Sequence, residues 1–463
     1  MHRADRIRNV ALVGHRGSGK TALNEALLFQ AGVINRLGTV TDGTTTSDAD
    51  SDEQARQMSI SASLSSFEWQ DRKINLIDTP GEPSFVADAL GAMRVCESAV
   101  FVVNAVMGVE VTTTRLWQRA EELDLARMVF VNMLDRERAD FFRTLESLKA
   151  AFGAHVVATE IPIGSEHEVR GVIDLVDMKA YEYEGEDRGD NCREIPIPDD
   201  LQALAEEYRE KLMDEVAEVS EELMERYLEG EEISHDEIVT ALKDGTNHGG
   251  IFPVVCGVAT RNLATNRLLD AIVDDLPSPV KHGDFELPEV TLRPDPDAEL
   301  FAYVFKTKAD PFAGRINFFR VYQGVMKPDA QVLNTRAHSK ERIGTLLVPH
   351  GKETGHADSF GPGDIGAVAK LKETRAGDWL AARDEPIAMP RIRLPQPVMA
   401  FAIEAKAKGD EDKVFTSLRR LQEEDPTIDL HRDMQTGDQI VAGLSQITSR
   451  SSSTASGSAS APR

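Results

Sequence analysis

Cysteine is scarce in this 463-residue chain: Cys96, Cys192 and Cys256 are the full set, widely spaced and without a Cys-x-x-Cys pair. An odd, scattered set excludes a disulfide framework and a thiolate zinc site, so these read as buried or idle thiols. Long apolar runs are missing too, and none approaches the roughly 18 residues of a membrane-spanning helix. The opening Met1-His-Arg-Ala-Asp-Arg-Ile-Arg8 has no apolar stretch of the kind a secretory signal needs. Membrane and export readings fall away, and the expected location is the cytoplasm. Basic residues are the third shortage: 52 Lys and Arg stand against 78 Asp and Glu, a net charge of −26. Bulk attraction to nucleic acid, DNA included, or to an anionic membrane is disfavoured, and any polyanionic partner must be met locally.

What is present is the apolar content of a globular protein, 41% of residues, enough for packed cores. At about 150 residues per domain the length suggests roughly three domains. Residues 181–250 carry −17 of the net −26, so the acidity is one block. Within it Leu201, Leu204, Tyr208, Leu212, Val216, Val219, Leu223 and Tyr227 recur at spacings of three and four. That spacing predicts one apolar helical stripe with carboxylates on the other faces, either simply solvated or an acidic docking surface.

Before the block, short apolar runs at 10–13, 74–77, 99–103 and 128–131 alternate with helical patterns from Thr21, near 85–95 and near 113–123. The pattern resumes with a run at 252–256 and a helix at 268–276. This rhythm predicts an α/β domain, a mostly parallel sheet with helices on both faces. Pro277-Ser-Pro279 and the stretch to Pro296 read as a linker. From 300 to 380 short strands broken by Gly, Pro and Asp turns predict an antiparallel β-barrel. Residues 398–444 read as βαββ, a partial ferredoxin-like α+β domain, and the Ser-rich sequence after Gln446 reads as a disordered tail.

Four elements carry chemistry. Gly14-His15-Arg16-Gly17-Ser18-Gly19-Lys20-Thr21 satisfies G-x-x-x-x-G-K-[ST] between a buried strand and a helix, the context this phosphate loop demands. Its backbone N–H groups would wrap phosphates, Lys20 would reach the outer ones, and the Thr21 hydroxyl would hold Mg²⁺. Residues 1–40 sum to +4, positive where a triphosphate is expected. After a second buried strand comes Asp78-Thr-Pro-Gly81, whose carboxylate would bind Mg²⁺ through water and whose Gly81 N–H could sense a γ-phosphate. A third strand ends in Asn132-Met133-Leu-Asp135. Asp135 can accept both N1–H and N2–H of guanine, whereas adenine offers neither. Cys256-Gly257-Val258-Ala259, at the end of the resumed strand, would lay backbone over the base.

In this order the elements resemble a translational GTPase, and further text narrows the resemblance to the elongation factor G family, and within it to the second, elongation factor G-like group. That text includes Asp42-Gly-Thr-Thr, Arg56-Gln-Met-Ser59-Ile, Phe318-Phe-Arg-Val-Tyr-Gln-Gly324, Gly363-Asp-Ile-Gly366 and Glu423-Glu-Asp-Pro426. The resemblance implies GTP and GDP as ligands with Mg²⁺, a ribosomal partner of rRNA and protein, and a monomer. It implies domains at 1–280, with an inserted acidic subdomain at about 160–250, at 281–390 and at 391–446, followed by the tail at 447–463. It also implies that 42–60 is the first switch, where Ser59 stands for the usual Thr and keeps a hydroxyl for Mg²⁺. The family continues into two further domains, so the chain reads as a C-terminally truncated form from which no translocation is expected.

Three residues depart from the family: Gly17 for Asp, Met133 for Lys, and Glu82 for the His after Asp-Thr-Pro-Gly. That His is the group thought to position the attacking water. A carboxylate at Glu82 brings negative charge toward a transition state already rich in it, and loss of a positioned acid–base group is worth roughly 10²- to 10⁴-fold. The expected function is a slow GTPase of translation elongation, with Lys20 and Glu82 as the catalytic positions. A non-hydrolysing, GTP-dependent ribosome regulator is the alternative, and an ATP-using P-loop kinase has no use for Asn132 and Asp135.

Overall fold

The strand Ile7–Val13 is buried at all seven positions, which requires cover on both faces of its sheet. It lies in the computed structural model's first unit, residues 5–81 and 96–282; the second holds 1–4, 82–95 and 283 onward. The structure describes every residue except 49, 186–187, 189–190, 232, 311–313, 352, 385–393, 404–410 and 446–463. The proposed tail therefore lies outside the described residues.

In the first unit the strands run in the order Ser63–Trp69, Arg72–Asp78, Ile7–Val13, Ser98–Asn104, Ala126–Asn132, Phe252–Cys256 and Val156–Ala158. All neighbours are parallel except the Ser63–Trp69 edge, which pairs antiparallel with Arg72–Asp78. Val/Ile-rich runs form these strands because β-branched chains pack well on a pleat covered from both sides. The helices Lys20–Gln30 and Thr265–Asp275 bury Leu23, Leu27, Leu268, Leu269 and Ile272 in one core with Val10, Val100 and Phe130. Elsewhere Trp117 of the helix Val111–Glu122 stacks on Phe152 with ring centroids 4.0 Å apart.

A polar chain crosses the sheet inside this core. Ser66 Oγ donates to Asn75 Oδ1 (2.7 Å), Asn75 Nδ2 to Asn9 Oδ1 (2.8 Å), and Asn9 Nδ2 to Glu97 Oε2 (2.9 Å). Because a one-residue slip would move each partner to the opposite face, the chain pins strand register. It also accounts for a buried Ser66 in Ser63–Trp69, a strand whose buried apolar residues are Leu64 and Phe67.

The acidic insertion holds a four-stranded antiparallel sheet, Glu160–Ile163, Gly171–Asp174, Lys179–Tyr183 and Cys192–Ile195 in sequential order, that periodicity did not reveal. Its single predicted stripe is corrected to two helices, Gln202–Ala217 and Glu221–Leu228. Ser220 makes the break, its side chain accepting from Leu223 N as an N-cap. Leu212 and Val216 are buried, whereas Leu223 and Tyr227 are half-buried and Tyr227 Oη donates back to Asp214 (2.8 Å).

The second unit carries an antiparallel, barrel-like sheet in the order Ser339–Arg342, Gln331–Asn334, Trp379–Ala381, Phe301–Asp310, Gly314–Gln323, Ile365–Ala369 and Leu346–His350. Val304, Phe319, Val321, Phe360 and Leu380 fill it. Part of the expected linker is structured: Phe285–Glu286 pairs with Thr291–Leu292, and the Phe285 ring lies 4.6 Å from Tyr322. A three-stranded sheet follows, with Gln439–Gly443 between Met399–Ile403 and Asp429–Arg432. Val414 and Leu418 of the helix Glu411–Glu424 cover it against Ile428 and Val441, the expected βαββ.

Leu27 is wholly buried. Leu27→Ala is expected to cost about 2–5 kcal/mol in urea denaturation. A loss under about 1 kcal/mol would show that the helix is not held by this face.

Candidate nucleotide-binding site

Four loops at the carboxyl ends of the parallel strands build the site, the usual place for a ligand in an open α/β sheet. The first leaves Val13 and turns into the helix at Gly19, which sits at φ 90°, a left-handed conformation that favours glycine. Lys20 is buried, and its Nζ donates to the carbonyls of Gly14 (3.1 Å) and His15 (2.9 Å). Burial lowers its pKa to about 8 against the pull of Asp78. His15 is pinned through Nδ1 to Thr112 Oγ1 (2.9 Å), with Nε2 3.4 Å from Glu110. Arg16 and Gly17 are exposed, while Ser18 is buried with no partner for its hydroxyl.

Asp78 is 1% exposed, and neither carboxylate oxygen has a donor at bonding geometry; Thr21 and Ser47 hydroxyls are the polar groups beside it. Burial first, then Asp48, push its pKa up to about 7 while Lys20 opposes them. Thr21 Oγ1 lies 2.9 Å from Ser59 Oγ, which donates to Asp48 Oδ1 at 2.8 Å. Ser59 spends its one proton on Asp48, so Thr21 is the donor of the pair. Asp48, also buried and raised by burial, was missed in the sequence because no spacing rule marks it. Two carboxylates and two hydroxyls, with both Asp78 oxygens buried and partnerless, form an all-oxygen donor set that suits a hard divalent cation such as Mg²⁺.

Gly81 closes this end by close approach. A Cβ there would lie 2.4 Å from Lys20 Nζ and 2.7 Å from Arg16 N. Glu82, next in the chain, begins the segment that belongs to the second unit. It is half-exposed, precedes the short turn Pro83–Phe85, and accepts from Ser84 Oγ at 3.4 Å.

At the opposite end Asn132 joins three loops. Its Nδ2 donates to Ser18 O (3.0 Å), and its Oδ1 accepts from Ala259 N (3.1 Å). Met133 takes φ 64° and receives Asn104 Nδ2 on its sulfur at 3.4 Å. Its methyl lies 3.0 Å from where a Gly19 Cβ would stand, so an apolar chain braces the loop in place of a charged one. Gly257 N donates to Val131 O (3.0 Å), and Val258 and Leu263 exchange backbone hydrogen bonds at 3.1 Å. Asp135 is half-buried with a buried Oδ1 that has no partner, an acceptor for a donor from outside the chain.

The chain matches the family model described as the elongation factor Tu GTP binding domain over residues 5–278. Elongation factor G domain 2 matches at 299–383, and elongation factor G domain III at 394–448. The chain belongs to the elongation factor G family of translational GTPases. A crystal structure from Thermus thermophilus shares the fold at TM-score 0.89 and 31% identity, covering 99% of this chain and 68% of that one. For this elongation factor G family member the GTP-binding domain implies guanine nucleotide binding.

Gly81→Ala forces a methyl onto Lys20 and the loop backbone. Overpacking of this kind costs about 1–3 kcal/mol, so triphosphate affinity is expected to fall about tenfold or more by fluorescence titration. Unchanged affinity would mean that the loop yields.

Proposed function

We propose that the chain binds GTP and GDP with Mg²⁺, hydrolyses GTP slowly, and acts with the ribosome in translation elongation in the cytoplasm. The Asn132 junction supports this most directly, since it ties Ser18 of the phosphate loop to Ala259 from a position three residues before Asp135, whose buried oxygen has no partner. Lys20 and the amides of residues 14–19 hold phosphate. Thr21, Ser59 and Asp78 hold the cation, which when bound neutralises phosphate charge. Asp135 selects guanine. No helix among the described residues is long and apolar enough to cross a membrane. The proposed domains are 1–280, with the insertion at about 160–250, then 281–390 and 391–446.

Competition tests the base assignment: GTP is expected to displace a bound fluorescent guanine nucleotide while ATP does not. Equal displacement would sink it. Asp135→Asn is expected to weaken guanine binding by about 1.5–3 kcal/mol, the worth of hydrogen bonds to a charged acceptor, and to admit xanthine, whose 2-oxo group accepts from the new amide. No gain for xanthine would remove Asp135 from the base site.

Glu82 carries the expectation of slow hydrolysis. Glu82→His is expected to raise single-turnover hydrolysis by roughly 10²-fold or more with nucleotide affinity unchanged. An unaltered rate would place the limitation elsewhere.

A further inference from the structure

The stretch from Ala31 to Asp50 has neither helix nor strand among its described residues, yet it carries Asp48 to the cation end of the site. A connection of that length is unusual unless it is functional, and ordering it costs about 1–2 kcal/mol per residue in backbone entropy. What holds it is a carboxylate on the phosphate-binding helix itself. Glu25, one turn beyond Thr21, is 2% exposed. Its Oε1 accepts from Gly38 N at 3.2 Å and its Oε2 from Thr46 N at 2.8 Å. Neighbouring Asn24 donates from Nδ2 to Ser47 Oγ at 2.7 Å. The fit is close: a Cβ on Gly38 would lie 2.7 Å from Glu25 Oε1 and 2.5 Å from Thr44 O.

The far end of the loop is tied the same way. Glu53, 3% exposed, accepts from Ile60 N (2.9 Å) and Ser61 N (3.1 Å) through Oε1, and from Asp50 N (3.2 Å) through Oε2. Between the two clamps lie Asp48 and Ser59, joined to each other and to Thr21. Two buried carboxylates thus fix both flanks of the residues that face the cation. Glu25 does so from the helix that begins with Lys20 and Thr21, so helix and loop keep one geometry.

We infer that Glu25 is a positioning residue that holds residues 38–47, the lead into and start of the first switch, against the phosphate-binding helix, setting Asp48 and Ser59 for the triphosphate-bound state. This rests on the nucleotide reading above. Since the loop serves the cation and γ-phosphate end, loosening it penalises GTP more than GDP.

Glu25→Gln tests this with the shape conserved: the amide oxygen can accept one N–H, but the NH₂ opposes the other. Charge-assisted bonds are worth enough for a change of about tenfold or more. The expected result is that loss for GTP, a matching rise in the Mg²⁺ needed for GTP binding, and GDP affinity held within about threefold. Asn24→Ala, which removes one hydrogen bond, is expected to move the same ratio less. Trypsin reads the clamp directly in nucleotide-free protein, through faster cleavage at Arg36 and Arg56 in Glu25→Gln. Equal losses for GTP and GDP, or unchanged cleavage and affinity, would overturn the inference. Failure of the unaltered protein to bind either nucleotide would instead overturn the nucleotide reading, while the cleavage comparison still judges the clamp.

Discussion

The side chain of Asn132 is the constraint on which the nucleotide site depends. One amide spends its donor on Ser18 O of the phosphate loop and its acceptor on Ala259 N of the base loop. Asn132 itself ends a strand buried at every position, so three loops inherit the rigidity of the sheet. Asp rather than Asn would put an acceptor against the Ser18 carbonyl, and Leu would leave both backbone groups unpaired, at about 1–3 kcal/mol each. A Cβ on Gly19 would lie 2.4 Å from Asn132 Nδ2, so this close approach requires glycine.

The cation end works by charge instead. Lys20, Asp48 and Asp78 are each under a tenth exposed, and burial moves all three toward their neutral forms. Such a cluster is costly alone and is relieved by ligands that pair with it, a phosphate beside Lys20 and a cation beside the carboxylates. The acidity of the chain has little to do with this end. Most of it lies in residues 181–250 of the insertion, whereas residues 1–40 around the phosphate loop sum to +4.

Much of this was legible in the sequence. Buried parallel strands announce themselves as apolar runs, so the strands that lead into Gly14–Thr21, Asp78–Gly81, Asn132–Asp135 and Gly257–Ala259 could be read from text alone. The strand Ser63–Trp69 could not, because its buried apolar residues Leu64 and Phe67 are interrupted by two buried serines, one of them bonded across the sheet to Asn75, which breaks the apolar run. The 201–227 stripe ran through a real break because a helical period continues across Ser220 although the backbone does not. Asp48 and Glu25 were silent for a third reason: their roles come from contacts between a helix and a long irregular loop, which no periodicity encodes.

We propose that this constellation turns over GTP. The most direct test is release of γ-phosphate from GTP by the purified protein in a single turnover, with and without ribosomes. Slow, magnesium-dependent release that ribosomes accelerate and that ATP does not support is the expected result. No release under either condition, or equal release from ATP, would contradict a guanine-specific GTPase.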